Sequence, residues 1–292
     1  MKACVLSGGA RKGAYQAGVL KALAEAEQAE YDLYAGVSCG ALAAYFMAQG
    51  HTALEFCAVW MAINTPSVYR TWGWFGTFIG WVIGIFRGSL YDSRPLLKMI
   101  RSNSRPLTKQ LRVGIVDLET GAYDAVQGDQ HETAAMTEYV WASCAQPLIM
   151  TPLRRDGYTY TDGGVRNKTP LAAAIDAGAT KIDVIMTTPL KGMKPWKPTA
   201  WWQRWFKLFA RTLREIDIAI NEAHSNDLAR AKLVNAAVLA GAPEGDGKRY
   251  IELRIFAPAE PLDVIDFEFD PAVSEQLIEQ GYNDAMKILE TT

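Results

Sequence analysis

The stretch of sequence that decides the fold is YDLYAGVSCGALAAYFMAQG, residues 31–50. It contains a short apolar run at residues 33–37, bounded by turn-forming neighbours, and this run predicts a buried strand. Residues 41–48 are rich in helix formers, so we expect a helix there. The motif between the two segments is G-x-S-x-G, centred on Ser38. A strand, a sharp turn and a helix are therefore expected to follow one another around this serine.

This arrangement favours Ser38 as a nucleophile. A sharp strand-to-helix turn pushes a serine out of the sheet plane, and Gly36 and Gly40 allow neighbouring backbone to pass closely. The helix that follows directs its free N–H groups and its positive dipole end toward any oxyanion formed at the serine. The alternative is a Gly/Ser turn that merely joins a strand to a helix, because isolated G-x-S-x-G matches are common.

The composition is that of a globular protein. The chain has 292 residues, of which 49% are hydrophobic and 21% charged, enough for one large domain or two small ones. Its formal net charge of −2 gives no indication of nucleic-acid binding. The four cysteines are far apart and show no C-x-x-C or Cys/His pairing, which argues against a disulfide framework or a zinc site. The sequence opens with a lysine and a strand-like run instead of an apolar signal segment, so we expect a cytoplasmic protein.

A glycine-rich turn near the N-terminus predicts a backbone anion site. Residues 2–7 form an apolar run typical of a strand, and residues 14–29 have the periodicity of a helix. The loop is neither G-x-G-x-x-G nor a Walker loop, so phosphate binding in a nucleotide enzyme is the weaker interpretation. With a serine nucleophile on the next strand–helix turn, we predict an oxyanion hole instead. The loop consists of Gly8, Gly9, Ala10, Arg11, Lys12 and Gly13.

Three motifs, in this order, resemble those of the patatin-like phospholipases. They are LSGGARKGAYQAGVL, which holds the glycine-rich loop, the GVSCG turn, and Asp162-Gly163-Gly164. The resemblance covers residues 1–170, continues more faintly to the C-terminus, and includes the segment ASCAQP at residues 142–147.

The glycine-rich loop departs from the family pattern at Ala10, where a third loop glycine is expected. An alanine resists positive φ. Either the loop holds Ala10 in an ordinary conformation, or the donors of the loop lie in slightly different positions.

The resemblance implies a Ser–Asp dyad, with Asp162 as the general base for Ser38. By itself an Asp-Gly pair also predicts a simple hairpin turn. Of the three histidines, His51, His131 and His224, only His224 follows Asp162 as a Ser–Asp–His triad would require, and no motif surrounds it. Because a carboxylate is a weak base at its ordinary pKa of about 4, we expect partial burial to raise the pKa of Asp162.

Residues 71–86, TWGWFGTFIGWVIGIF, contain no charge. The run is too short and too rich in glycine for a membrane span, which needs about twenty apolar residues. It predicts either a buried hairpin or helix that covers the sheet, or a mobile hydrophobic cap over the serine that touches lipid. We favour the cap, with Trp72, Trp74 and Trp81 at the lipid interface, because tryptophans and glycines pack poorly as ordinary core.

Residues 191–216 form a basic aromatic amphipathic segment. Seven cations occur between Lys191 and Arg214 with no acid among them, and aromatic residues alternate with them. From residue 200 onward the aromatic residues fall on one helical side and the cations largely on the other, as in helices that bind membrane surfaces. The alternative is a core-facing helix with a solvated basic edge. We expect peripheral contact with an anionic membrane, at the inner face of the cell membrane.

Strands alternate with helices along the chain without a linker or repeat, which predicts a single domain over residues 1–292. Further strands are expected at residues 111–118, 122–127, 158–161, 182–188 and 249–256, and further helices at 90–104, 137–143, 215–239 and 271–290. The resemblance implies an α/β fold with three layers, in which helices flank a mainly parallel central sheet.

The expected function is a lipid acyl hydrolase that needs no metal or cofactor. It would cleave carboxylic esters of phospholipids or related acyl glycerides through an acyl-enzyme on Ser38. Lys12 would support the loop or the phosphate end of the lipid. Two alternatives stay open: a soluble esterase or thioesterase acting on small acyl compounds, and a catalytically idle membrane-binding scaffold.

Overall fold

The structure is a computed structural model that describes residues 1–72, 77–190, 228–241, 249–262 and 268–291, with isolated residues at 211, 214, 215 and 218. Its strands are β1 (Lys2–Leu6), β2 (Leu33–Val37), β3 (Arg70–Thr71), β4 (Tyr91–Asp92), β5 (Gln110–Asp117), β6 (Tyr123–Gln127), β7 (Leu153–Arg155), β8 (Tyr158–Asp162), β9 (Lys181–Ile185) and β10 (Glu252–Phe256). Its helices are α1 (Gly13–Glu25), α2 (Cys39–Ala48), α3 (Ala53–Ala62), α4 (Thr65–Val68), α5 (Thr77–Arg87), α6 (Arg94–Ser102), α7 (Thr133–Ser143), α8 (Leu171–Asp176) and the C-terminal helix (Pro271–Leu289). Residues 228–239 are also helical.

The central sheet is mainly parallel. Its strands β10, β9, β1, β2 and β5 are neighbours in that order, and each adjacent pair is parallel. Strands β6 and β8 pair with β5 in the antiparallel sense, and β7 pairs with β8 in the same way. Strands β3 and β4 form a separate two-stranded ribbon. The predicted fold class, with a mainly parallel sheet, is confirmed.

Alternation along β1 shows why helices cover both faces of the sheet. Successive side chains of a strand point to opposite faces. Cys4 and Leu6 belong to the larger apolar cluster, which includes residues of α1, α2, α3 and α7. Ala3 and Val5 belong to a second cluster, which includes Leu171 of α8. Every side chain of this strand from Ala3 to Leu6 is fully buried, so the sheet forms the middle of three layers.

The register of β5 brings two distant parts of the sequence together. Gly114 pairs with Val37 of β2, and the next residue, Ile115, pairs with Asp162 of β8. Because β6 pairs with both Gly114 and Ile115, it occupies one edge of β5, so β2 and β8 must share the other. Strand β8 therefore continues along β5 where β2 stops, and Asp162 arrives beside the residue that follows Val37.

The C-terminal helix packs closely on α1. A Cβ added to Gly18 would overlap the carbonyl oxygen of Ile278, and one added to Gly281 would overlap the carbonyl oxygen of Tyr15. The two glycines thus allow the helix backbones to approach more closely than any side chain would permit. This contact supports our proposal of a single domain, because it joins the two ends of the chain.

The apolar run at residues 71–86 includes most of α5, whose preceding Trp72 is buried. The indole N–H of Trp72 donates a hydrogen bond of 2.9 Å to the carbonyl oxygen of Ser89. The expectation that Trp72 lies at a lipid interface is therefore wrong, because its ring packs beneath α5 and its polar N–H has a backbone partner. Trp74 and the side chain of Trp81 lie outside the described residues.

Two further expectations concern membranes. Within the described ranges, no helix is both long and apolar enough to cross a bilayer. Of the basic aromatic segment at residues 191–216, only Arg211, Arg214 and Glu215 are described, so the prediction of an amphipathic membrane-binding helix lies outside the described residues.

Candidate active site

Ser38 occupies the turn between β2 and α2 in a strained backbone conformation, with φ of 57° and ψ of −128°. Non-glycine residues rarely adopt positive φ, and such strain is typical of functional sites. The flanking glycines make the turn possible. A Cβ on Gly36 would overlap the carbonyl of Gly40, and one on Gly40 would overlap the carbonyl of Leu6. This geometry is that of a nucleophile elbow.

Ser143, at the end of α7, fixes the turn at Ser38 through hydrogen bonds. Its fully buried hydroxyl accepts a hydrogen bond of 2.9 Å from the Ser38 N–H and donates one of 2.6 Å to the Gly114 carbonyl. The thiol of the next residue, Cys144, donates to the Ser38 carbonyl at 3.3 Å. Both residues lie in the segment ASCAQP, whose sequence match gave no indication of this role.

Asp162, at the end of β8, is brought next to Ser38. The Ser38 side chain lies close enough to the carboxylate to lower its pKa by hydrogen bonding, and the Gly164 N–H donates to its Oδ1 at 2.7 Å. The side chain is buried, with only 7% of the residue exposed. The pKa of Asp162 is raised to about 6, because burial raises it by more than the bonds from Gly164 and Ser38 and the charge of Lys168 lower it. The carboxylate is therefore a stronger base than an exposed aspartate.

Lys168 is a component of the site that the sequence reasoning missed. It is only 6% exposed, although lysine is rarely buried, and its positive charge lowers the pKa of Asp162. Its side-chain Cγ lies 3.7 Å from the position that a Cβ on Gly8 would occupy. A buried cation thus lies near both the glycine-rich loop and Asp162. The sequence did not indicate that Lys168 is buried, because a lysine that follows an Asp-Gly-Gly turn is expected to be exposed to solvent.

The glycine-rich loop lies against the elbow. The Cβ atom of Ser38 is 3.3 Å from the position of a Cβ built on Gly8. The Gly8 N–H donates to the Lys168 carbonyl at 2.9 Å, so it is already used within the loop. Among the described residues, no backbone carbonyl accepts a hydrogen bond from the N–H group of Gly9 or of Ala10. These two amides are the donors that we assign to an oxyanion below.

Ala10 adopts a φ of 49°, in the left-handed region. The expectation that the loop holds it in an ordinary conformation is therefore wrong, and the alanine accepts the strain that the family's glycine avoids. The other loop residues turn the chain into α1: Arg11 is buried, Lys12 is the residue before the helix, and Gly13 begins it. A Cβ on Gly13 would overlap the Trp60 ring.

An apolar pocket opens beside Ser38; its empty space, including the part that is open to solvent, is about 500 Å³. Its inner wall includes Trp60, Phe269 and Met150, and the Phe269 ring stacks on Trp60 at 6.5 Å between centroids. The remaining lining residues are Ala10, Ser38, Cys39, Leu42, Ile63, Val68, Leu96, Cys144 and Gln146. Such a lining suits an aliphatic chain whose reactive end reaches Ser38. Phe269 comes from the distant C-terminal part of the chain, which no local motif could have indicated.

Two of the three histidines are described, and each has a partner of its own. His51 contacts the Asn103 carbonyl and lies near Glu55, and His131 packs on Tyr139. His224 lies outside the described residues. A search of the described residues finds no group of three or more His, Cys, Asp or Glu side chains that could hold a metal ion.

Two comparisons with known proteins bear on the family and the fold of this chain. A family model described as patatin-like phospholipase matches residues 4–175. The crystal structure of VipD from Legionella pneumophila is similar in fold, with a TM-score of 0.56 and 13% sequence identity. That alignment covers 99% of this chain and 67% of VipD, and at this identity it bears on the fold alone.

Proposed function

Because the chain belongs to the patatin-like phospholipase family, we propose that it is a serine hydrolase that cleaves carboxylic esters of acyl lipids. Members of this family are generally lipid acyl hydrolases, which supports a lipid hydrolase activity. The observation that carries the proposal is the position of the Ser38 side chain, which lies beside the buried carboxylate of Asp162 and lines an apolar cavity.

In this mechanism Asp162 accepts the proton of the Ser38 hydroxyl as Oγ attacks the ester carbonyl carbon. The negative charge that develops on the carbonyl oxygen is stabilised by the N–H groups of Gly9 and Ala10 and by the N-terminal end of α2. Collapse of the tetrahedral intermediate expels the alcohol, to which Asp162 returns the proton. The acyl group is then esterified to Ser38.

Deacylation repeats the same steps with water. Asp162 takes a proton from the attacking water, and the hydroxyl attacks the acyl carbonyl. The second tetrahedral intermediate then releases the fatty acid, and Ser38 regains its proton from Asp162. The buried cation of Lys168 would keep enough of the Asp162 carboxylate ionised for both steps.

The substrate is proposed to be a phospholipid or a related acyl glyceride. The apolar lining of the cavity supports a long acyl chain, which is largely buried while its ester lies at Ser38. We also propose that the protein contacts an anionic membrane from the cytoplasmic side. A lipid with a long acyl chain resides in a bilayer, so the enzyme must contact that bilayer to reach its substrate.

The test compares hydrolysis of a vesicle phospholipid with that of a soluble short-chain ester. Ser38→Ala and Asp162→Asn should each lower both rates at least about a thousandfold. Ser102→Ala and Asp129→Asn, at exposed positions, are the matched controls and should retain full activity. EDTA should leave the wild-type rates unchanged.

Activity on the soluble ester alone would identify a small-molecule esterase, and activity on neither would identify an idle scaffold. Either result would contradict the proposed function.

A further inference from the structure

Helix α5 contacts its own protein through glycine. A Cβ added to Gly80 would lie 2.8 Å from the Trp72 carbonyl oxygen, and one added to Gly84 would overlap the carbonyl oxygen of Ser89. These two positions are four residues apart and share one helical face. The face of α5 that packs on the rest of the chain therefore contains small residues.

Bulky apolar side chains project into solvent from the same helix. Val82, Ile85 and Phe86 are 40%, 69% and 88% exposed. Their spacing of three and four residues places them on one face, which we call the α5 apolar face. The described residues of the chain leave that face uncovered, and exposed clusters of large apolar residues are typical of interaction surfaces.

The segment that carries this face is basic. Between residues 70 and 94 there are three arginines, Arg70, Arg87 and Arg94, and the one acid is Asp92. The side chain of Asp92 is buried and is shared by Arg70 at 3.2 Å and Arg94 at 2.7 Å, whose own side chains are mostly exposed. The guanidinium of Arg87 lies 4.9 Å from the Trp72 ring centroid. Positive charge thus exceeds negative charge in the segment that carries the α5 apolar face.

The segment that carries this face also contacts a loop that lines the catalytic cavity. The chain that leaves α5 bonds to the loop at residues 146–150, since the N–H groups of Leu90 and Tyr91 donate to the carbonyls of Leu148 and Ile149 at 2.8 and 3.0 Å. In the same loop, Gln146 and Met150 line the cavity, and the side chain of Leu148 is exposed.

We propose that the α5 apolar face docks on the surface of an anionic lipid bilayer, with Ile85 and Phe86 inserted at the acyl boundary and the arginines at the phosphate level. The chemistry fits this occupant, because an exposed apolar helical face bordered by cations is complementary to an anionic interface. The inference rests on the proposed function, which places the substrate in that bilayer. It locates the entrance of the cavity beside the membrane.

The test measures co-sedimentation with vesicles of phosphatidylcholine alone or of phosphatidylcholine mixed with phosphatidylglycerol. All proteins carry Ser38→Ala, so binding is measured without turnover. The double variant Ile85→Ser/Phe86→Ser should bind the mixed vesicles at least about tenfold more weakly. The reason is that the two large apolar side chains, which would move from water into the bilayer on binding, are missing. Arg87→Glu should weaken binding several-fold, and added salt should reduce this difference.

The matched control is Leu233→Ser/Leu239→Ser, which removes two exposed leucines from residues 228–239, near the β10 edge of the sheet. It should bind as the parent does. Unchanged binding by the α5 variant, equal loss by the control, or parent binding that is absent or indifferent to phosphatidylglycerol would overturn the proposal.

A second measurement does not depend on how the double variant folds. The native cysteines in the structure are all buried, so Phe86→Cys offers a selective site for an environment-sensitive dye. Its emission should shift to the blue with mixed vesicles, whereas dye at Leu233→Cys should not respond. No shift at position 86 would overturn the proposal. Soluble-ester hydrolysis in the same Cys variants with Ser38 intact tests the proposed function separately, because it needs no membrane.

Discussion

At the residue scale, the pKa of Asp162 is determined by opposing influences. The pKa is raised to about 6, because burial raises it by more than the hydrogen bonds and Lys168 lower it. A carboxylate of this kind is largely ionised at neutral pH yet remains basic enough to accept a proton from serine. The same raised pKa lowers the free energy of unfolding as the pH rises from about 4 to about 6, because the folded state retains the proton longer than the unfolded chain.

The pH dependence of catalysis follows from this pKa. For a soluble ester, kcat/KM should fall about tenfold per pH unit below about pH 6 and should level off above it. Lys168→Met should move the midpoint to higher pH, because it removes the cation that lowers the pKa of Asp162. Lys181→Met, at an exposed lysine, should leave the midpoint in place. A rate that stays constant down to pH 4 would contradict the role of Asp162.

The positive φ of Ala10 makes a prediction about stability. Ala10→Gly should raise the free energy of unfolding by up to about 1 kcal/mol, because glycine adopts a φ of 49° without the steric cost that alanine incurs. Activity should persist, since the amide is unchanged. Ala24→Gly, at an exposed position of α1, should have the opposite sign. Urea unfolding of both variants measures these free energies. Destabilisation by Ala10→Gly would contradict the claim that the backbone of Ala10 is strained.

At the element scale, β2 and α2 form the elbow, and α7 fixes it through Ser143. Ser143→Ala would leave the N–H of Ser38 and the carbonyl of Gly114 without their partner. We expect a loss of about 1–3 kcal/mol in stability, as for buried unsatisfied groups. We also expect a fall in kcat with KM nearly unchanged, because the nucleophile shifts while the cavity does not. Steady-state kinetics and thermal unfolding test both expectations, and Ser102→Ala at an exposed position is the control. An unchanged kcat in Ser143→Ala would show that Ser143 does not position Ser38.

The strand and the helix around Ser38 could be predicted well from the sequence, because nearby residues determine each of them. The apolar run before Ser38, the helix formers after it and the turn glycines all act within a few residues. Within residues 90–104 the helix begins at Arg94, where Ser93-Arg94-Pro95 fits a helix N-terminus, and Tyr91 and Asp92 form a strand with Arg70 and Thr71 instead. That pairing depends on a partner about twenty residues away, which periodicity does not report.

At the scale of the whole molecule, the site depends on contacts between distant parts of the chain. The family assignment from three ordered motifs is confirmed by the family match over residues 4–175. The burial of Lys168, the support from Ser143 and the cavity wall at Phe269 could not be predicted, because they arise where separate elements meet. Phe269 is held there by backbone contacts with Thr65, whose N–H donates to the Phe269 carbonyl at 3.1 Å.

The close packing of α1 on the C-terminal helix gives a global prediction. Gly18→Ala and Gly281→Ala should each lower the free energy of unfolding by at least about 1–3 kcal/mol, because the added methyl group overlaps the backbone of the other helix. Ala24→Ser, on the exposed side of α1, should change it by less than about 0.5 kcal/mol. Chemical denaturation measures all three, and a neutral Gly18→Ala would show that the two helices are not in contact there.

The most direct test of the central claim is to trap the covalent intermediate. A reactive soluble ester is mixed with the protein, the reaction is quenched rapidly, and peptide mass spectrometry locates the acyl group. The Ser–Asp mechanism predicts acylation of Ser38 in the wild type, none in Ser38→Ala, and acylation slowed at least about a thousandfold in folded Asp162→Asn. Acylation of another residue, or acylation of Ser38 at the wild-type rate in Asp162→Asn, would contradict it.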